Sequence, residues 1–166
     1  GRKAGGPLAF REGRGTVPAR HVAKLRPEDA AYLAGLIDGE GTIALSRRHA
    51  KDNRQLVLTI SSTEAALVEW ARNCLGVGKI TRKAAAASHH APGLTYVVAN
   101  RQALDVLQQV TPYLKSYKRQ RAELVLHGYT AVTPRNGKYT PTITAARRKF
   151  ESDFAALSIR GRHSPG

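Results

Sequence analysis

The hydrophobic and polar positions of the chain change period several times, and each change predicts an element. After Pro27, at a first-turn position, come Glu28 and Asp29, where the positive end of a helix dipole favours acids, and then Ala31, Leu33, Ala34, Leu36 and Ile37 at helical spacing. This helix is expected to stop at Gly39 or Gly41. From Thr42 to Arg48 the period drops to two, with Ile43 and Leu45 alternating against Thr42, Ser46 and Arg48. The same alternation returns from Gln55 to Ser61 through Leu56, Leu58 and Ile60. The two segments predict paired strands with one wet face, joined by the polar stretch His49 to Arg54 as a hairpin loop. A second helix is predicted over Thr63 to Leu75, capped by Ser62 or Thr63, with Leu67, Val68, Ala71 and Leu75 as its buried stripe and Gly76 and Gly78 as its stop. Strands follow at Lys79 to Lys83 and Leu94 to Ala99, around an alanine-rich loop from Ala84 to Gly93. A third helix covers Arg101 to Thr111, a fourth runs from Pro112 or Lys115 to Tyr129, and a weaker fifth from Thr144 to Leu157. The order αββαββα followed by more helix predicts an α+β fold, with helices on one face of a four-stranded antiparallel sheet and a polar opposite face.

Up to Arg26 there is no sustained apolar period, and seven Lys or Arg face the single acid Glu12. This predicts a flexible basic arm over residues 1–26. A disordered basic tail is expected over 158–166, which leaves 27–157 as one domain. The 166 residues hold 27 Lys and Arg against 12 Asp and Glu, a net charge of +15. Most of that excess lies outside the arm, so the folded body is basic as well. A solvated basic surface explains part of such a charge; a polyanionic partner, nucleic acid above all, explains it better. The single cysteine, Cys74, excludes an internal disulfide framework and zinc modules built on cysteine sets. No apolar run approaches the ~18 residues that a membrane span needs, and the first residues lack the apolar stretch of a signal peptide. A soluble intracellular protein without a membrane partner is expected, in a bacterial cytoplasm or in an organelle.

The segment Leu33-Ala34-Gly35-Leu36-Ile37-Asp38-Gly39-Glu40-Gly41 concentrates the candidate chemistry. Ala34 and Gly35 are small and are expected on one side with Asp38 and Gly39, so that two such helices pack with their backbones close together. Glu40 is expected just past the helix end, beside glycines that let backbone carbonyls approach a cation. Two copies would bring two carboxylates together, and paired carboxylates facing phosphate suit Mg2+, which activates water and steadies a leaving oxygen. From spacing alone, the same nine residues also describe an ordinary helix C-terminus with a glycine stop. The segment resembles the signature of the LAGLIDADG homing endonucleases, matching its name at seven of nine positions. The resemblance covers roughly Glu28 to His127 and includes Ile60-Ser61-Ser62-Thr63, Leu75-Gly76-Val77-Gly78-Lys79-Ile80 and Pro112-Tyr113-Leu114-Lys115-Ser116-Tyr117-Lys118.

What the resemblance implies is a saddle-shaped sheet lying along the major groove of DNA, and a metal-dependent phosphodiester cut. It makes Glu40 the metal ligand, with Gly39 beside it, and Asp38 mainly structural. It makes Lys118 the basic residue of the active site, where a cation can stabilise the charged transition state. Ser62 stands where the family often has a water-organising polar residue, while Ala66, one helical turn on, departs from the basic residue of some members. Lys118 also fits a solvated basic face with Lys115, Arg119 and Arg121. The implied cofactor is Mg2+; Mn2+ or Ca2+ are expected to occupy the site in vitro, Ca2+ without cleavage.

With one motif per chain, a homodimer is implied, packed through Leu33, Ala34, Gly35 and Asp38 and cutting both strands of a long, nearly palindromic site. The base-facing side chains would be Thr42, Ala44, Ser46 and Arg48; Asn53, Gln55, Val57 and Thr59; Lys79, Thr81 and Lys83; and Thr95 and Val97. Arg or Lys pair with guanine edges, Gln or Asn with adenine, and methyl groups with thymine. The same residues fit the wet face of any half-exposed sheet. Arg47, Lys51, Arg54, Arg82, Lys115 and the arm suit phosphates. His89 and His90 do not make a metal pair, because adjacent loop residues rarely ligate one ion. The expected role is that of an intron-encoded homing endonuclease. The alternatives on the same fold are a non-catalytic DNA-binding regulator, against which Glu40 argues, and an RNA maturase, which makes RNA a secondary partner.

Overall fold

Pro27 at the first helical position, with Glu28 and Asp29 in the first turn, starts α1 (Pro27–Glu40) as the apolar spacing predicts. The computed structural model describes residues 21–82 and 92–158. Lys83, His89, His90, the first twenty residues of the predicted arm and the tail from 159 onward lie outside them. Glu40 is the last residue of α1 rather than lying beyond its end, and the chain turns at Gly41 straight into β1 (Gly41–Ser46). No side chain fits at that turn: a Cβ on Gly41 would come within 2.7 Å of the Ile37 Cα and 2.8 Å of its carbonyl oxygen.

The remaining elements are β2 (Gln55–Ser62), α2 (Ala65–Leu75), β3 (Lys79–Arg82), β4 (Leu94–Ala99), α3 (Asn100–Val110), a single 3-10 turn over Thr111–Tyr113, α4 (Lys118–Gly128) and α5 (Pro141–Ala156). Several ends differ from the expectation. β1 stops at Ser46, leaving Arg47 and Arg48 in the loop. The fourth helix begins at Lys118, beyond both predicted starts. The fifth begins at Pro141, where Thr140 Oγ1 accepts a hydrogen bond from Ile143 N at 3.2 Å and so caps an orphan donor.

The four strands form one antiparallel sheet in the order β1-β2-β4-β3. Its inner face carries Ile43, Leu56, Leu58, Ile60, Tyr96 and Val98, each at most 2% exposed. Against them pack Leu33, Ala34 and Ile37 of α1, Val68, Ala71 and Leu75 of α2, and Val106, Leu107 and Val110 of α3. The helices therefore cover one face and leave the other open, as the αββαββα order predicts. Tyr32 and Trp70 meet edge to face at 4.8 Å between ring centres and tie α1 to α2. Gly78, at φ +93°, takes a left-handed turn that passes over the Tyr96 ring, whose hydroxyl donates to the Val77 carbonyl at 2.7 Å.

The last residues of the predicted arm do not hang free. Ala23 N donates to the Leu75 carbonyl at 3.0 Å, and Gln109 receives Leu25 N at 2.7 Å and donates to the Ala23 carbonyl at 3.1 Å. Val22 and Leu25 pack against the core, which moves the boundary of the folded part ahead of Pro27. Among the described residues no helix is long and apolar enough to cross a membrane.

Because the Gly41 turn is closed to a Cβ by backbone atoms, Gly41→Ala must push β1 away from α1. A loss of about 1–3 kcal/mol in unfolding free energy is expected, the usual cost of overpacking a tight site, measurable by urea denaturation.

Candidate functional site

The last turn of α1 leaves carbonyl oxygens without intrahelical partners, and α1 has no basic residue of its own in that turn. A residue some eighty positions away supplies the charge. Lys118, the first residue of α4, is 9% exposed and donates from its ammonium to the Ile37 and Asp38 carbonyls, each at 2.8 Å. A cation at a helix C-terminus is favoured by the dipole as well as by these bonds. Burial pulls the Lys118 pKa below its ordinary value, and repulsion from Arg121 adds to that; Asp38 and Glu40, which attract its charge, only partly oppose the shift. Lys118 is therefore a buried cap on the nonapeptide helix and not part of a solvated basic face.

Asp38 makes the reciprocal contact. Its carboxylate accepts from Lys115 N at 2.8 Å, from Ser116 N at 3.1 Å and from Ser116 Oγ at 2.5 Å. Ser116 Oγ in turn accepts from Lys118 N at 3.2 Å. Partial burial pushes the Asp38 pKa up, but the Ser116 hydroxyl, the two backbone donors and the Lys118 charge outweigh it, and the pKa lies below the ordinary value. The Asp38 carboxylate is thus occupied inside its own subunit, holding the 114–118 segment to the end of α1.

These contacts leave Glu40 exposed, at the end of the open sheet face where Gly41 pairs with Ile60. Side chains on that face line up in rows across the strands: Ala44, Val57 and Ala99; Thr42, Thr59, Val97 and Lys79; Ser61, Thr95 and Thr81. Ser46 and Gln55 pair at the far end. The face carries the strand residues expected to meet bases, together with Ser61, whose Oγ lies 2.8 Å from Thr95 Oγ1. Ser61 follows the same alternation as Val57 and Thr59, which is the signal in the sequence that places it on this face. Ser62 lies on the opposite side of the strand, where its Oγ accepts from Glu64 N at 3.0 Å and shapes the entry to α2.

The basic residues divide. Arg48, Lys51 and Asn53 are exposed in the β1–β2 loop, and Lys115 is exposed beside Asp38. Arg47 donates to the Ala50 carbonyl at 3.0 Å and Arg54 to the Leu45 carbonyl at 3.4 Å, so both help to hold the loop. Arg82 pairs with Leu94 on the helix side of the sheet and not with the open face. The nonapeptide's expected packing face needs correction as well. Leu33 and Ala34 are fully buried in this subunit's own core, because the stripe that meets the sheet includes them. The free stripe of α1 instead carries Ala31, Gly35 and Gly39, exposed and four residues apart, with open space around both glycines. That spacing was visible in the sequence.

A depressed Asp38 pKa favours the ionised, folded form. Its contribution to stability is complete above the ordinary value of 3.8 and is lost as the pH falls through the lower folded-state value. Asp38→Asn should therefore lower stability at neutral pH and flatten the acid limb of a stability–pH profile, read by thermal melting between neutral pH and the acid-unfolded state.

No family model and no curated protein sequence matches the chain. Solved structures do. The homing endonuclease I-CvuI, crystallised with its target in the presence of Ca, superposes with a TM-score of 0.65 at 20% identity, covering 80% of this chain and 83% of that one. The archaeal intron-encoded homing endonuclease I-Vdi141I in complex with DNA gives 0.55 at 17% identity, over 84% and 89%. The LAGLIDADG homing endonuclease I-SmaMI, bound to cleaved DNA, gives 0.57 at 19% identity over 75% of this chain and 43% of that one. With the nonapeptide forming α1 and the open sheet face beside it, the chain has the fold of the LAGLIDADG homing endonucleases.

Proposed function

We propose that this protein is a site-specific double-strand DNA endonuclease that acts as a homodimer and hydrolyses phosphodiesters with a divalent metal, in the manner of an intron-encoded homing enzyme. The observation that carries the reading is the position of Glu40. An exposed carboxylate ends α1 at the margin of the open sheet face, and the buried Lys118 ammonium lies on the two carbonyls just before it. The DNA complexes of the structural neighbours support a duplex partner, and their crystallisation with Ca or Mg supports a divalent ion.

The Glu40 carboxylate and the Gly39 carbonyl fit a hard cation, since both are oxygen donors on exposed residues. One subunit does not complete a site: among the described residues no three His, Cys, Asp or Glu side chains gather to hold a metal. Phosphate, water and a second copy would supply the remaining oxygens. When bound, Mg2+ supplies a Lewis acid and a water of lowered pKa. The chain's own part is to hold Glu40 in place and to present Lys118. Two of the three ammonium hydrogens are used on carbonyls, and the third is left for a phosphate oxygen or the attacking water.

The free stripe of Ala31, Gly35 and Gly39 lets the same helix of a second copy approach closely, which brings the two Glu40 residues to the two-fold axis. The chain spans most of the I-CvuI chain but under half of the I-SmaMI chain, and the one nonapeptide in these residues calls for a second copy of the helix to pair with it.

The intron-less allele of the host gene, incubated with Mg2+, tests the activity. Glu40→Gln should bind this duplex as the parent does and fail to cut it; undiminished cutting removes Glu40 from the mechanism. Lys118→Met should lower the single-turnover rate by about 10²–10³-fold, the loss typical of one electrostatic stabiliser, with binding retained. Gly35→Leu meets open space within the subunit, so the fold should persist while light scattering shows a monomer that does not cut.

A further inference from the structure

At the end of the open face away from Glu40 lies a groove of about 1280 Å³. Its floor is the sheet at Gln55, Val57 and Val97; one wall is the β1–β2 loop, and the other is the start of α3 with the 133–139 segment. Seven of the lining residues are Arg or Lys and one, Asp52, is acidic, so the groove is a concentration of positive charge. The two arginines of the second wall, Arg101 and Arg135, are exposed.

The second wall is not a loose loop. Arg147 of α5, only 4% exposed, donates to the Val132 carbonyl at 2.8 Å, to Thr133 Oγ1 at 2.9 Å and to the Tyr139 hydroxyl at 3.3 Å. Its other terminal nitrogen donates to the Arg54 carbonyl at the foot of the β1–β2 loop. One guanidinium therefore fixes the 132–139 segment relative to the first wall. The floor is pinned too: Tyr129 OH receives Leu56 N at 3.1 Å and donates to Asn100 Oδ1 at 2.8 Å, and Asn100 Nδ2 donates to Gln55 Oε1 at 3.3 Å.

We propose that Arg101 and Arg135, on the second wall of this groove, extend the DNA-contacting surface by binding backbone phosphates outside the bases that the sheet faces, with the segment that carries Arg135 positioned by Arg147. The occupant of the groove is duplex DNA, because the floor is continuous with the polar sheet face and the walls are cationic. Six residues of β1 separate the Glu40 end from the groove, close to 20 Å at about 3.3 Å per residue. Contacts at the groove therefore fall at the outer end of a half-site. The inference rests on the DNA-binding reading above and adds residues to it that neither the motif nor the strand alternation indicates.

Salt-dependent binding of the full chain to a mixed-sequence duplex of about 40 base pairs, without Mg2+, tests it. Each phosphate contact contributes about 0.9 to the slope of log affinity against log salt. Arg101→Ala with Arg135→Ala should lower the slope by about 1.8 per subunit, whereas Arg72→Ala, an exposed charge on α2, should leave it unchanged. Arg147→Lys retains the charge but loses the fork across Val132, Thr133 and Arg54, and should lower the slope as well. A parent protein that binds with a slope unaltered by the Arg101 and Arg135 substitutions overturns the groove proposal alone. A parent that does not bind the duplex overturns the DNA reading, and the groove proposal with it.

Discussion

The Lys118 ammonium on the Ile37 and Asp38 carbonyls is the contact on which the candidate site depends. Burying a cation is costly, and the depressed Lys118 pKa expresses that cost. Two charge-assisted hydrogen bonds, each contributing about 1.5–3 kcal/mol, and the negative end of the α1 dipole offset it. Asp38 returns the contact by holding Ser116 and the Lys115 amide. The end of α1 and the start of α4 are thus joined by two opposite charges, each bonded to the other's segment. Gly41 then turns the chain with no room to spare, and the exposed Glu40 has its position set by its neighbours rather than by contacts of its own.

The sheet separates two tasks. Its inner face buries aliphatic side chains and Tyr96 under the helices, which fixes the strand register; its outer face carries Thr, Ser, Gln, Lys and small apolar residues that the fold does not need to bury. Because register is fixed from behind, the outer side chains are held in rows at spacings they do not determine. Polar networks that cross between elements secure both ends of this surface. At one end stands the Asp38, Ser116 and Lys118 cluster; at the other, Tyr129 and Arg147 bind backbone groups of Leu56, Arg54 and Val132. Apart from Asp38, the anchoring side chains come from Ser116 onward, so the C-terminal part of the fold positions the surface formed by the strands before it.

Several misplacements share one origin. Ala34 and Gly35 are adjacent small residues, and the sequence offers no reason to put one in the core and the other on the free stripe until the sheet is known to lie beneath Leu33, Ala34 and Ile37. Lys118 sits among four basic residues in a short stretch, and nothing local distinguishes the buried one. Arg147 resembles any surface arginine on a helix with Glu151 four residues later, at 3.4 Å, yet it is the most buried charged residue described. In each case the deciding contact joins segments far apart in the chain.

What the sequence determined by itself was local and periodic. Alternation of two gave the strands and their open face, helical spacing gave the helices, Pro27, Gly41 and Gly76 gave the start of α1 and the stops of α1 and α2, and the nonapeptide singled out Glu40 as a candidate. These features follow from backbone stereochemistry and from the need to bury one side of each element, and a short window of residues expresses both. The tertiary structure alone decided which face of α1 remains free, that Asp38 is spent on Ser116, that Lys118 caps the nonapeptide helix and that Arg147 anchors the outer groove. The first follows from packing on the sheet, and the other three are polar contacts satisfied across more than ten residues of chain, often across some eighty. Hydrogen-bonding partners for a buried charge are set by where the packed elements bring carbonyls together, and no periodicity along the chain records that.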